Sequence, residues 1–170
     1  MSKYLVTGLG GSGKSTVCES LRSRGVNVFD SNNVPGLASW RDAYTDKPIK
    51  VDPSSYVDWS KVAWNWDESA LKKLLADNEN LILCGSASNQ MRFHRLFDRI
   101  FVLTLDRKTH RRHLEGRLSP YGKDSETMAE LLDEQQEFAK NLISLGAIAI
   151  DASGTPEQAA EQILEHINES

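Results

Sequence analysis

The sequence predicts an α/β fold, a parallel β-sheet covered by helices on both faces, and three observations carry that expectation. Short apolar or β-prone runs (3–8, 26–30, 81–84, 100–105 and 147–151) alternate with segments of helical periodicity over the whole length. The fourth run, Ile100-Phe101-Val102-Leu103-Thr104-Leu105, is almost continuously apolar, as strands buried on both faces are. A glycine-rich turn joins the first run to the first helical segment, where a βα unit places its tightest connection.

Each element has its own signal. Lys3 to Gly8 forms the first strand and ends in glycine; the helix after it runs from about Gly13 to Arg24, with Val17, Cys18 and Leu21 on one face and Gly25 as its stop. Val26 to Asp30 is a strand that ends in a carboxylate. The segment 31–66 has little periodicity, contains all four tryptophans (Trp40, Trp59, Trp64, Trp66), and reads as an insertion. Asp67 caps a helix through about Ala76 whose inner face is Ala70, Leu71, Leu74 and Leu75. Leu81 to Cys84 is the third strand, followed by helical turns through Arg95. After the fourth strand, Asp106 opens a basic helix. Residues 118–124 have loop chemistry, and 125–145 is helical, with Met128, Leu131, Leu132, Leu142 and Ile143 facing inward. Gly146 ends that helix, 147–151 is the fifth strand, and Thr155-Pro156-Glu157-Gln158 combines a threonine cap, proline at the first helical position and glutamine three residues after the cap.

Bulk properties narrow the function classes. At 170 residues the chain suits a single domain, 1–170, with insertions. A net charge of −4 argues against an extended nucleic-acid footprint, which needs a basic surplus. No apolar run approaches the roughly 20 residues that cross a bilayer. The chain enters its first strand within a few residues, so no secretory segment is expected ahead of it and the expected compartment is the cytoplasm. Cys18 and Cys84 have no metal-ligand spacing and read as buried free thiols. His94, His110, His113 and His166 read as surface histidines.

The chemistry is concentrated in Gly8-Leu9-Gly10-Gly11-Ser12-Gly13-Lys14-Ser15, which satisfies G-x-x-x-x-G-K-[ST] at every required position, with Thr16 directly after it. Glycines at 8, 10, 11 and 13 let successive N–H groups, including that of Ser12, converge on an anion, and the following helix adds its positive end. Lys14 reaches the β- and γ-phosphates of a nucleoside triphosphate, and the Ser15 hydroxyl suits the shell of Mg²⁺. No guanine-reading N-K-x-D follows, Asp151-Ala152-Ser153-Gly154 lies too late to be a switch, and Gly85-Ser86 stands where motor ATPases carry an acidic pair. Asp30, ending the strand after the first helix, is the best candidate to orient an acceptor hydroxyl or take its proton; the competing reading is a turn-capping aspartate.

With this loop at the start, Asp30 after the second strand, arginines after the fourth and the closing 151–156 turn, the whole chain resembles the P-loop nucleoside and nucleotide kinase superfamily, with adenylate, shikimate and gluconate kinases, as a kinase-like ATPase subfamily of it. The adenylate kinase D-G-x-P-R and the shikimate kinase glycine triplet are both absent after Cys84.

The resemblance implies a three-layer P-loop NTPase fold with a five-stranded parallel sheet of order 2-3-1-4-5. It also implies a small lid at about 112–127, with Arg111 or Arg112 beside the adenine, Arg112 and Arg117 closing on the transferring phosphate, and Ala152 to Pro156 on the other adenine face. The expected activity is transfer of the γ-phosphate of MgATP to a small acceptor, a nucleoside or nucleotide. Its candidate contacts are Asp30, Trp40, Arg41, Asn89 and Arg92 around the 31–66 insertion. The alternative is an NTP-hydrolysing regulatory module with a protein or RNA partner.

Overall fold

The structure, a computed structural model, describes residues 2–52, 54–116 and 125–169. Strands β1 (Lys3–Thr7), β2 (Val28–Asp30), β3 (Ala38–Asp42), β4 (Val62–Trp66), β5 (Leu81–Cys84), β6 (Arg99–Thr104) and β7 (Ile148–Asp151) alternate with helices α1 (Lys14–Ser23), α2 (Glu68–Asp77), α3 (Arg107–Glu115), α4 (Ser125–Ser144) and α5 (Pro156–Asn168). The main sheet has the order β2-β5-β1-β6-β7 with every pairing parallel. Counted among the parallel strands alone, that is the expected 2-3-1-4-5.

Period-two alternation sorts the sheet residues into two cores. Tyr4, Val6, Ile82, Cys84, Phe101 and Leu103 face α1 and α5, where Val17, Leu21, Ala160 and Ile163 are buried against them. Leu5, Leu81 and Leu83 face the other way, onto Leu71, Leu75, Trp66, Phe93 and Phe97. Val102 continues that second face under Ala139 and Leu142 of α4. The result is the three-layer arrangement expected for near-continuous apolar strands.

Helix limits follow local chemistry. Asp67 accepts from Ala70 N, Asp106 from Thr109 N, and Thr155 forms a complete capping box with Gln158, with Pro156 at the start of α5. Gly25 and Gly146 follow α1 and α4 with φ of 84° and 102°, left-handed values that glycine adopts without a Cβ penalty.

Four expectations are corrected. The 31–66 segment contains an antiparallel hairpin, β3–β4, in which Trp40 stands opposite Trp64. Its 19-residue connection, 43–61, hid the pairing from a local pattern. Cys18 and Cys84 are buried as expected but are bonded to each other, not free, with Cα atoms 6.4 Å apart across 66 residues of sequence. The βα crossover lays α1 over the end of β5, a juxtaposition that spacing could not announce. Ile143, expected to face inward, is 42% exposed; it is the last residue but one of α4, at the end of the helix. His110 is buried, and His94 and His166 are half-buried, so of the four expected surface histidines only His113 is exposed. Among the described residues, no helix is long and apolar enough to cross a membrane.

Candidate phosphate-binding site

The loop between β1 and α1 has the shape its residue types require. Gly11 and Gly13 hold φ of 80° and 93°. A Cβ on Gly11 would be strained at its φ and would stand 2.7 Å from Leu114 Cδ2, and one on Gly8 would stand 2.5 Å from Ser12 Oγ, so a side chain at either position would push these neighbours aside. α1 starts at Gly13 with no side-chain cap and no acid in its first turn. In contrast, α2, α3 and α5 each receive a side-chain cap. An uncapped helix start leaves first-turn N–H groups and the positive end of the helix for an external anion. The Lys14 ammonium folds back onto the carbonyls of Gly8 and Leu9, inside the loop. Ser15 and Thr16 are exposed at the helix start, and the Thr16 hydroxyl donates to Gly13 O. The uncapped helix start and Lys14 could hold an anion such as a phosphate group, and the exposed Ser15 hydroxyl could hold a metal ion beside it.

Three side chains bond to the backbone of this loop: Gln135, which the sequence did not single out, and His110 and His113, which it reads as surface histidines. Gln135 of α4, 2% exposed, accepts from Leu9 N at 2.7 Å and donates to Leu103 O at 2.8 Å. His110 Nε2 lies 2.9 Å from Gly10 O and His113 Nδ1 2.8 Å from Gly11 O. The only sequence signal was helical spacing: His110 shares a face with buried Leu114, four residues on.

Asp30 ends the edge strand β2 in register with Cys84, the end of β5, and is half-buried. One of its carboxylate oxygens accepts from Asn32 N at 2.9 Å, the Asx-turn geometry of the competing reading, and Asn32 Oδ1 accepts from Trp64 Nε1 at 3.2 Å. The hairpin is thereby tied to the carboxylate's turn. On the side of Trp64, a cavity of about 450 Å³ is lined by Leu9, Trp64, Ser86, Gln90, Phe138 and Asn141 among others; Asp30 is not part of its wall.

The other acceptor-side candidates are engaged in holding this region together. Arg41 pairs with Asp67 at 3.1 Å and donates to Asp46 O. Asn89 clasps Trp66, accepting from its N–H at 2.9 Å and donating to its carbonyl at 3.0 Å. Arg92 stands 3.6 Å from Glu68. Trp40 packs against Trp59 and Trp64, with ring centroids 5.4 Å and 5.2 Å away.

On the donor side, Arg111 and Arg112 are exposed on α3, and Arg117 lies outside the described residues, as does 117–124 of the expected lid. Ala152 N donates to Thr104 O and Asp106 N to Ser153 Oγ, which seats the 152–156 turn beside the start of α3. The Asp106 carboxyl is held below its ordinary range by the Thr109 backbone N–H and hydroxyl. Burial pushes the His94 imidazole down.

The strand order, the glycine cradle and the uncapped α1 define a P-loop fold. The sequence model of the AAA domain family matches residues 5–143, most of the chain, and the chain belongs to that family. No curated protein matches it. Solved structures cover nearly all of it. Shikimate kinase from Acinetobacter baumannii, in complex with shikimate, aligns over 99% of this chain and 94% of that one at 15% identity and a TM-score of 0.63. Deoxyadenosine kinase from M. mycoides with bound dATP covers 98% and 99% at 17% identity, TM-score 0.58. Shikimate kinase from Aquifex aeolicus covers 99% and 97% at 16% identity, TM-score 0.57. At these identities the likeness is one of fold.

Proposed function

We propose that the protein is a phosphotransferase that moves the γ-phosphate of MgATP to a hydroxyl or phosphate of a small acceptor, a nucleoside or nucleotide. The observation that carries this reading is the glycine cradle at an uncapped helix start, with a half-buried carboxylate at the end of the next parallel strand. Small-molecule kinases that share the fold end to end support the same reaction class.

In this reading Lys14 leaves the Gly8 and Leu9 carbonyls for the phosphates, and the loop amides neutralise charge on the transferring group. Mg²⁺ held by Ser15 and the nucleotide supplies further charge neutralisation when bound. Asp30 uses the carboxylate oxygen not engaged by Asn32 to orient the acceptor hydroxyl. The acceptor lies in the cavity between Leu9 and Trp64, with the 31–66 insertion as its outer wall. Arg112 and Arg117 belong to the lid, and Arg111 with the Ala152–Pro156 turn flanks the adenine. Lid closure excludes water, which separates transfer from hydrolysis.

The experiment is incubation with MgATP and a panel of nucleosides, nucleotides and sugar acids, following ADP and phosphorylated product. An acceptor-dependent product that disappears in Lys14→Ala, and in Asp30→Asn with ATP binding retained, is the expected result. Slow ATP hydrolysis without any acceptor-dependent product across the panel would exclude the kinase reading in favour of an NTP-hydrolysing module.

A further inference from the structure

We propose that His110 and His113 are positioning residues of the phosphate loop, each fixing one peptide unit of the loop through a different ring nitrogen. The proposal rests on the nucleotide-binding reading above and adds to it a route by which α3 acts on the loop.

The two rings leave α3 about one turn apart and meet consecutive carbonyls, His110 Nε2 at Gly10 O and His113 Nδ1 at Gly11 O. A carbonyl oxygen only accepts, so each ring carries its proton on the bonded nitrogen: Nε2 in His110, Nδ1 in His113. Among the described residues no peptide bond is cis, and in a trans peptide the N–H points opposite to the C=O. Anchoring Gly10 O and Gly11 O to α3 therefore turns the Gly11 and Ser12 N–H groups away from α3. The Ser12 N–H, expected to face an anion, instead donates to Leu9 O at 3.1 Å in this structure, so the His113 bond fixes this internal turn of the loop while the His110 bond orients the Gly11 N–H.

Gly11 approaches α3 closely: its φ of 80° disfavours a side chain, and a Cβ would stand 2.7 Å from Leu114 Cδ2 and 3.2 Å from His110 Cδ2. The sequence of the loop and that of α3 are thus fitted to one another. Because both bonds run from α3, displacement of α3 would change the same peptide units of the loop.

The first test needs no ligand. Long-range ¹H–¹⁵N spectra of the ring nitrogens in the free wild-type chain, at a pH where the rings are neutral, should show the Nε2–H tautomer for His110 and the Nδ1–H tautomer for His113. An Nε2–H tautomer at His113 would overturn the proposal.

The second test measures binding of MgATP and of inorganic tripolyphosphate to the full chain. His113→Ala and His110→Ala should each weaken both ligands about tenfold, the order of one hydrogen bond. Rescue should be selective, because the Asn amide nitrogen overlays Nδ1 and the Gln amide nitrogen overlays Nε2. His113→Asn should stay within about threefold of wild type and His113→Gln should not, with the reverse order at position 110. Alanine variants that bind like wild type, or amides that are interchangeable at both sites, would refute the positioning role. If the amide pattern holds but wild type phosphorylates nothing, the kinase reading fails and the positioning role stands. If wild type transfers phosphate and both alanine variants keep its KM for ATP, the reverse is true. A wild-type chain that binds neither ligand overturns both.

Discussion

Replacing Gln135 with leucine tests whether α4 holds the phosphate loop as well as covering the sheet. Leucine fills nearly the same volume and favours the helix, so the change isolates the amide. The buried amide makes two backbone hydrogen bonds, from Leu9 N at 2.7 Å and to Leu103 O at 2.8 Å. Each bond contributes about 1 kcal/mol net, and a buried backbone group left without its partner costs about 1–3 kcal/mol. The expected loss for Gln135→Leu is therefore about 2–4 kcal/mol, a downward shift in Tm on the order of 5–15 °C for a chain of this size. Equilibrium urea unfolding at constant m-value is the assay. Because Leu9 is a loop residue, MgATP should also stabilise the variant less than wild type at the same ligand concentration. A loss below about 1 kcal/mol, the worth of one ordinary hydrogen bond, would show that Gln135 is dispensable to the loop and refute the reasoning.

Further predictions concern the supports of the site. Thr155→Ala removes the hydroxyl of the α5 capping box and should cost about 1 kcal/mol in thermal or urea unfolding, while Thr155→Ser should recover most of it. The Asp106 carboxyl titrates below its ordinary 3.8 in the folded chain, because Thr109 donates to it. Its stabilising contribution is present above the unfolded value and lost as pH falls through the lower folded value, so Asp106→Asn should flatten the acid limb of the stability profile below about pH 4. Unfolded protein prepared without reductant should show no reactive thiol, and reduction of the Cys18–Cys84 bond should lower stability by about 2–4 kcal/mol, the usual range for a bridge. Disulfides are rare in reducing compartments, so thiol labelling of protein taken directly from cells would also test the cytoplasmic expectation.

Much of the fold was legible because its signals are local. The first glycine-rich turn, the Asp67 and Asp106 caps, the Thr155-to-Gln158 box and the apolar alternation of β1, β5 and β6 each require only a few neighbouring residues to be read. β2 was overextended, since Val26 and Asn27 precede the first paired residue, Val28. The β3–β4 hairpin was missed for the opposite reason. Its strands read Ala-Ser-Trp-Arg-Asp and Val-Ala-Trp-Asn-Trp, with no clean period of two, and what stabilises them is aromatic packing of Trp40 on Trp64 and Trp59.

The candidate site divides along the same line. Residues that would touch a phosphate are recognisable because an anion constrains their type: glycine where N–H groups must converge, lysine where charge must reach. Those that hold the loop in place are constrained only by where the fold brings them. Gln135 meets Leu9 across 126 residues, and His110 and His113 meet Gly10 and Gly11 across 100 and 102. An amide and two imidazoles on helix faces carry no local sign of such partners. The acceptor side shows the converse. Arg41, Asn89 and Arg92 have the chemistry of ligand-binding residues, yet Asp67, Trp66 and Glu68 already engage them, so the first effect of Arg41 and Asn89 on an acceptor passes through the hairpin and the 89–92 turn that they fasten. Substituting Arg41 or Asn89 should therefore lower stability and acceptor use together, whereas a change at an exposed position, such as Arg92→Ala or the cavity-wall Asn141→Ala, should alter acceptor use with stability nearly unchanged.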